Sequence, residues 1–421
     1  MKRNVLVIAD LNQAVPRMPQ ILKYLPVYGW DPIVLTPYTY LGVNADFEII
    51  KTNYKHNFAL LRKILGLDLS DSLNKTIVKE KLNITSNNSL FDPLIAGFGA
   101  IFNYPESDKG WIPFALETGR VILQERDIDA LISCSSPVSG HIIASTLKKE
   151  FEIPWIADLR DLWSQNHDYE YGPIRQRIDK RLELKTLKSA DLLTTVSFPW
   201  AKRLKELHQR DSVKVITNGF DPKILEMPLS TLSDKFLMTY SGRFYEGRQS
   251  PSKFFEALHD LISQGFISPK DIAVNFYGSN HLWIDKEIKK FGLGDIVTQY
   301  SWIPRDTAIE KERESQVLLL FNWENPYENG WPPLKIFGYM AAQRPILAVG
   351  GNKSDVIQCL LKETNSGYYV STVDEVKKHI KLLYSEFKLR GEIRTEGNLD
   401  AIKRYRYSEK AKEFAFLLNG L

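Results

Sequence analysis

The sequence predicts an α/β protein of two domains, each a parallel sheet covered by helices on both faces. Three observations carry this. The 421 residues exceed what one hydrophobic core ordinarily fills, so two domains of roughly 200 residues each are expected. Short apolar runs alternate with helical stretches along most of the chain. A cluster of turn formers, TNGFDP, closes the first series near Asn218 to Pro222 and precedes a second.

In the first series, NVLVIAD (Asn4 to Asp10) reads as a buried parallel strand, and Met18, Ile21, Leu22 and Leu25 mark a helix leading to a strand at Pro32 to Thr36. Residues 50 to 115 are expected to form loops and accessory helices outside the central sheet. Strands follow at Ala130 to Cys134, Pro154 to Asp158, Ala190 to Ser197 and Val213 to Gly219, with helices between them. The second series runs through FLMTY (Phe236 to Tyr240), IAVNFYG, Thr298 to Trp302, VLLLF (Val317 to Phe321) and Pro345 to Gly350. Val376, Ile380, Leu383 and Phe387 recur at helical spacing and predict a stripe packed on the second sheet. The expected division is residues 1–220, residues 221–400, and a terminal helical segment, 401–421, crossing back to the first domain. Ala411, Phe414, Ala415, Leu417 and Leu418 supply that segment's apolar face, with Lys410, Lys412 and Glu413 at its solvated rim.

Composition narrows the function. Fifty-five basic residues against 51 acidic ones leave a net charge of +4, too little for the dense basic field of a nucleic-acid binder. An anionic small molecule remains compatible. Cys134 and Cys359 fit neither a CxxC nor a zinc spacing, which argues against a disulfide framework or metal site and for a reducing, cytoplasmic setting. The first apolar run is cut at Asp10, short of a signal peptide, and no apolar segment reaches the ~20 residues needed to span a bilayer. The segment YKHNFALLRKILGLDL (54–69) interleaves Lys55, Arg62 and Lys63 with apolar residues. It either packs internally or offers a basic, apolar face to the inner surface of a membrane.

In sheets of this kind ligands bind outside the carboxyl ends of the strands, so motifs just after strands are the candidates. The sharpest is YSGRFYEGRQSPSKFFEAL (240–258). Gly242 follows a strand, Arg243 and Arg248 flank Gly247, Ser250 is placed to cap, and Pro251 to open the next helix. Two guanidinium groups beside a helix N-terminus suit a diphosphate; surface pairing of the arginines with Glu246 or Glu256 is the alternative. In ENGWPPLKIFGYMAAQRPILAVGG (328–351), Lys335 near a helix start is either a phosphate ligand or an ordinary solvated lysine. In the first half, PWIADLRDLW sets Asp158, Arg160 and Asp161 at a strand end, where they either face an acceptor or pair with one another. His141, after SSPVSG, is a candidate hydrogen-bonding partner for a sugar hydroxyl or a packed helix residue, and Arg17 either meets an anionic acceptor or is a surface-loop arginine. No G-x-G-x-x-G follows the first strand, which disfavours a nicotinamide enzyme.

The ordered set of segments resembles the bacterial branch of the family 4 glycosyltransferases. It comprises YPESDKGWIPFA (104–115), SCSSPVSGHIIASTLKK (133–149), PWIADLRDLW (154–163), ADLLTTVSFPWAKRL (190–204) and ITNGFD (216–221), then the arginine segment, VNFYG (274–278), SWIPRD (301–306) and PPLKIFGYMAAQRPIL (332–347). The resemblance implies the GT-B architecture, two facing Rossmann-like domains. It also implies a retaining, metal-independent hexosyltransferase-like enzyme moving a sugar from a nucleoside-diphosphate donor, UDP slightly preferred, to a glycan, lipid-linked or small acceptor in cell-surface polysaccharide synthesis. No further cofactor is implied. Donor contacts fall to Gly242, Arg243, Arg248, Tyr277, Gly278, Ile303 and Lys335; His141 and Asp161 join the two arginines and Lys335 as catalytic candidates. Two features depart from the family. Arginine replaces the usual lysine at 248, and the two family glutamates map to Gly330 and Gly338, with Glu328 nearby. The second departure keeps open a catalytically weak or inactive nucleotide- or glycan-binding protein of the same fold.

Overall fold

The computed structural model describes residues 2–14, 16–39, 45–55, 104–167, 169, 171–228, 230–278, 280–324, 330–351 and 355–421. Most of the basic, apolar segment 54–69, and Glu328, lie outside these. The chain forms two compact units. One comprises Met1–Thr195, Ala201–Val215 and Ala411–Leu421, the other Val196–Trp200 and Ile216–Lys410.

The first unit is built on seven parallel strands: β1 (Arg3–Ile8), β2 (Trp30–Pro37), β3 (Glu48–Thr52), β4 (Ala130–Ser135), β5 (Trp155–Leu159), β6 (Leu192–Thr195) and β7 (Lys214–Val215), in the order β3-β2-β1-β4-β5-β6-β7. Val5 to Ile8 and all of β4 and β5 are buried, as continuous apolar runs in a two-sided sheet require. The order reverses between β1 and β4, which pair from Val5↔Ala130 to Ile8↔Ser133 and so define this unit's switch point. β3 corrects the expectation that the sheet excludes residues 50–115. EIIKT is only half-buried at the sheet edge, so it lacks the continuous apolar run that marks the inner strands. The strand expected over Val213 to Gly219 contracts to the two residues of β7. Residues 411–421 pack in this unit, with Ala411, Phe414, Ala415 and Leu418 buried and Asn419 Oδ1 accepting from the Trp30 indole at 3.0 Å. Lys410, expected at a solvated rim, is buried, its ammonium 5.4 Å from the centre of the Tyr405 ring.

The second unit carries six parallel strands: β8 (Phe236–Gly242), β9 (Ile272–Gly278), β10 (Val297–Tyr300), β11 (Val317–Phe321), β12 (Ile346–Val349) and β13 (Gly367–Val370), ordered β10-β9-β8-β11-β12-β13. β13 was not marked by the sequence pattern, because GYYV is only partly buried at an edge. One sheet face packs Tyr240, Phe244, Phe254, Phe255, Phe276 and Phe321 with the predicted stripe of helix Val373–Arg390. Burying such side chains contributes about 1.5–3 kcal/mol each. The other face packs under helices Leu334–Ala342 and Val356–Thr364. The switch point lies between β8 and β11, so both arginines of the 240–258 motif follow the strand where a ligand crevice is expected.

Candidate functional site

The sharpest assembly of charge is at the end of β8. Gly242 and Gly278 are paired across β8 and β9, both at positive φ. A Cβ on Gly278 would lie 2.4 Å from the Gly242 carbonyl oxygen, and one on Gly242 would lie 2.7 Å from Lys335 Nζ. Only glycines let the strand end and the lysine approach this closely. Lys335 is the second residue of helix Leu334–Ala342. Its Nζ donates to the Tyr240 hydroxyl at 2.6 Å and sits 3.8 Å from that ring's centre. Tyr240 Oη in turn donates to the Arg243 carbonyl at 2.8 Å, tying lysine, strand and loop together. Lys335 keeps some surface, but desolvation lowers its pKa to about 7, against an opposing pull from Glu312.

Glu312, on helix Arg305–Arg313, exposes 1% of its surface. Its Oε1 accepts from Ser241 Oγ and forms a 3.4 Å ion pair with Arg305 Nη1. Burial raises its pKa, while Arg305, Ser241 and Lys335 oppose the rise. Tyr339 Oη accepts from the Ser241 amide at 2.8 Å, so Ser241 is held from both sides. Glu312, Arg305 and Tyr339 carry no mark of this role in the sequence. AIEKERE reads as a solvated charge run, and nothing in its spacing marks one carboxylate as inward.

Arg243 and Arg248 are exposed. The Arg243 guanidinium lies 5.5 Å from the Tyr245 ring centre and that of Arg248 4.9 Å from Trp323. Glu246 and Glu256, the proposed surface partners, form no ion pair among the described residues. Gln249, also missed, clamps the loop: its amide donates to the Phe321 carbonyl at 2.7 Å and its carbonyl accepts from the Tyr245 amide at 3.1 Å. Helix Ser252–Ser263 begins one residue later than expected, with Pro251 in the cap position. Ser250 Oγ accepts from the Ser252 amide at 3.2 Å instead of capping deeper in the first turn. Tyr277 stacks on Tyr300 at 4.8 Å, and Ile303 is half-buried in the loop after β10. The structure therefore brings Gly242, Gly278, Tyr240 and Lys335 together, with Arg243 leaving the same strand end.

The first unit's candidates are closed inward. Arg17 is fully buried and bidentate to Asp158, at 2.5 and 3.2 Å, while Thr194 donates to the same carboxylate at 2.7 Å. This corrects both expectations for Arg17, acceptor contact and surface loop. A carboxylate at the end of β5 gives its guanidinium an interior partner. His141 is also at 0% exposure, with Nδ1 2.7 Å from Ser133 Oγ, which accepts from the Trp155 indole at 2.8 Å. Burial lowers the His141 pKa to about 4, so the imidazole is neutral. Asp161 pairs with Arg160 at 2.8 Å, and Arg160 also donates to the Gln13 carbonyl at 2.5 Å. Glu106 accepts from the Val138 and Ser139 amides, at 2.9 and 2.5 Å, filling the N-terminus of helix Ser139–Phe151 with the protein's own carboxylate. Among the described residues no group of three or more His, Cys, Asp or Glu could hold a metal, and no helix is long and apolar enough to cross a membrane.

Two sequentially placed parallel sheets with switch points at β1/β4 and β8/β11 define the GT-B architecture, and residues 84–224 match the family model described as Glycosyltransferase Family 4. The first-half segments of the resemblance, from 104–115 to 216–221, fall inside this match. Sucrose-phosphate synthase from Thermosynechococcus elongatus superposes with a TM-score of 0.61 at 12% identity, over 100% of this chain and 99% of that one. HepE of Anabaena, in complex with UDP, gives 0.60 at 12% identity over 100% of both chains. A glycosyltransferase from Rickettsia africae gives 0.60 at 14% identity over 100% and 98%. No curated protein matches the sequence.

Proposed function

We propose that the protein is a glycosyltransferase that binds a nucleoside-diphosphate sugar, UDP-linked by preference, at the end of β8. The observation that carries this is Lys335, held by a buried tyrosine against a glycine-lined strand end. Its ammonium is desolvated there with no anion in direct contact among the described residues. A diphosphate is the partner such a group lacks, and the exposed Arg243 and Arg248 leave from the same loop to share its charge. HepE is described in complex with UDP and with UDP-glucose, which supports this choice of base.

In the proposed reaction an acceptor hydroxyl attacks the sugar's anomeric carbon and the bond to the β-phosphate oxygen breaks. The departing phosphate gains charge, which Lys335 and the arginines stabilise, and takes the acceptor proton. Transfer on the same face retains configuration. Tyr277, Gly278 and Ile303 line the base side, and Asp161 stands on the acceptor side. His141, without exposed surface, is assigned no substrate contact. The acceptor is read as a glycan, lipid-linked glycan or small molecule in cell-surface polysaccharide synthesis, met in the cytoplasm or at the membrane's inner face, with hexosyl transfer needing no metal.

Purified protein incubated with UDP-, GDP-, ADP-, CMP- and dTDP-sugars is expected to hydrolyse or transfer from a UDP-sugar with added EDTA, giving a product of unchanged anomeric configuration by NMR. Absence of donor binding across the panel contradicts the proposal. Binding without turnover favours the second reading, a nucleotide- or glycan-binding protein, for which glycine at 338 is the specific observation.

A further inference from the structure

Helix Pro173–Leu187, in the first unit, has its polarity reversed. Surface helices ordinarily turn apolar residues inward and charge outward. Here Arg175, Asp179, Glu183 and Thr186 are buried ahead of Leu187, while Ile174 and Ile178 are 75% and 42% exposed. Polar contacts fix this rotation. Arg175 Nε donates to Asp179 Oδ1 at 2.9 Å and its Nη2 to the Pro105 carbonyl at 2.7 Å, and the Tyr169 hydroxyl donates to Asp179 at 2.6 Å. Glu183 accepts from the Ser164 amide at 3.0 Å and lies 3.2 Å from His208 Nε2. Rolling the helix to hide the isoleucines would break both sets of contacts and strand two carboxylates.

The outward face is equally one-sided in charge. Ile174, Arg177, Ile178, Arg181 and Lys185 share it at the spacing i, i+3, i+4, i+7, i+11. Lys180 flanks them and Lys188 follows the last turn, and all five cations are exposed. The helix's two acids, Asp179 and Glu183, are the buried ones. Among the described residues none of the five cations forms an ion pair, whereas Arg120, Arg126 and Lys148 of the same unit each hold a carboxylate. Arg177, Arg181 and Lys185 stand at successive intervals of four, where like charges repel. Such a face is poorly suited to water alone.

An anionic bilayer surface satisfies both of its halves. Headgroup phosphates neutralise the cations, whose stems lie along the interface, and the isoleucines enter the acyl boundary between them. A soluble polyanion neutralises the charge but leaves the isoleucines in water. The helix also follows the loop after β5 that bears Asp161, and Gln176 Nε2 holds that loop through the Ser164 carbonyl at 2.8 Å. We infer that the face from Ile174 to Lys188 docks on a membrane surface rich in acidic phospholipid. Of the two settings named above for the acceptor this selects the membrane; that choice rests on the acceptor reading of the Asp161 loop, and the docking itself is independent of the donor site.

Co-sedimentation of the full chain with vesicles of phosphatidylglycerol and phosphatidylcholine in equal parts, and of phosphatidylcholine alone, tests the docking, with UDP titrations run in parallel. Binding is expected only where phosphatidylglycerol is present and should weaken as salt rises. Arg181→Gln and Lys185→Gln should each reduce it about fivefold. Ile174→Ser combined with Ile178→Ser should reduce it about tenfold with the salt dependence unchanged, a loss that attraction to charge alone does not produce. Because these four side chains are exposed, melting temperature and UDP affinity should stay as they are. Vesicle binding that none of the variants weakens overturns the assignment to this helix. Loss in the charge variants, with the isoleucine pair binding as before, reduces the face to a site for any polyanion and overturns the membrane as its partner. Absence of vesicle binding overturns the docking whether or not UDP binds, and vesicle binding without UDP binding overturns the donor site alone.

Discussion

The two strand ends at the switch points hold similar inventories of charge and use them in opposite ways. In the first unit Arg17, Asp158 and Thr194 complete one another, His141 leans on Ser133, and Glu106 occupies the N-terminus of helix Ser139–Phe151. In the second, among the described residues, Lys335 has a tyrosine hydroxyl and no anion in contact, Arg243 rests on a ring face, and Glu312 leaves one oxygen unpaired. The first arrangement stabilises a loop framework, and the second keeps charge available for a ligand. Polar content alone does not distinguish a binding site; what matters is whether the protein itself has already met the hydrogen-bonding capacity.

The largest effect that would sharpen this contrast is on the first unit's stability. Arg17→Ala strands the Asp158 carboxylate in the interior and should cost about 3–5 kcal/mol, read by urea denaturation, with UDP affinity of the folded protein unchanged. A loss of UDP affinity without loss of stability would break the comparison. Next is Lys335→Ala, expected to weaken UDP binding about thirtyfold, near 2 kcal/mol, with a melting temperature little changed or raised because a desolvated ammonium is removed. Arg243→Ala and Arg248→Ala should each cost about tenfold, fitting exposed guanidinium groups that must be drawn to the ligand. Unfolding of the domain by either would favour a structural role.

The smallest effect is on pH. Lys335 titrates near 7 in the folded protein and near 10.5 when unfolded, so between these values the unfolded chain binds more protons and stability rises with pH. Donor affinity runs the other way, since the ammonium is fully present only below about pH 7 and is lost above it. UDP titrations from about pH 7 to 9 should show affinity falling, and Lys335→Met should flatten that slope. A slope identical in the variant would assign the titration to another group.

The sequence revealed most where one residue type has one use. The apolar runs of β1, β4, β5 and β11 can only be inner strands, and Gly242 between strand and arginine marks a backbone that must turn and be approached. The edge strands β3 and β13 escaped because half-buried EIIKT and GYYV carry no continuous apolar signal. Arg17 was misjudged because its carboxylate partner lies 141 residues away, a separation no local pattern reports. Glu312 and Gln249 were invisible for the same reason. Their partners, Ser241 and the Phe321 carbonyl, are brought to them only by the sheet.

Hydrogen exchange of the full chain with and without UDP reads out whether the ligand-ready charge belongs to the second unit. The strongest slowing is expected over residues 241–252 and 334–339, with the backbone around Asp158 and Arg17 far less affected. Slowing confined to residues 10–17 and 158–164, with the β8 loop and the Lys335 helix unchanged, would contradict it.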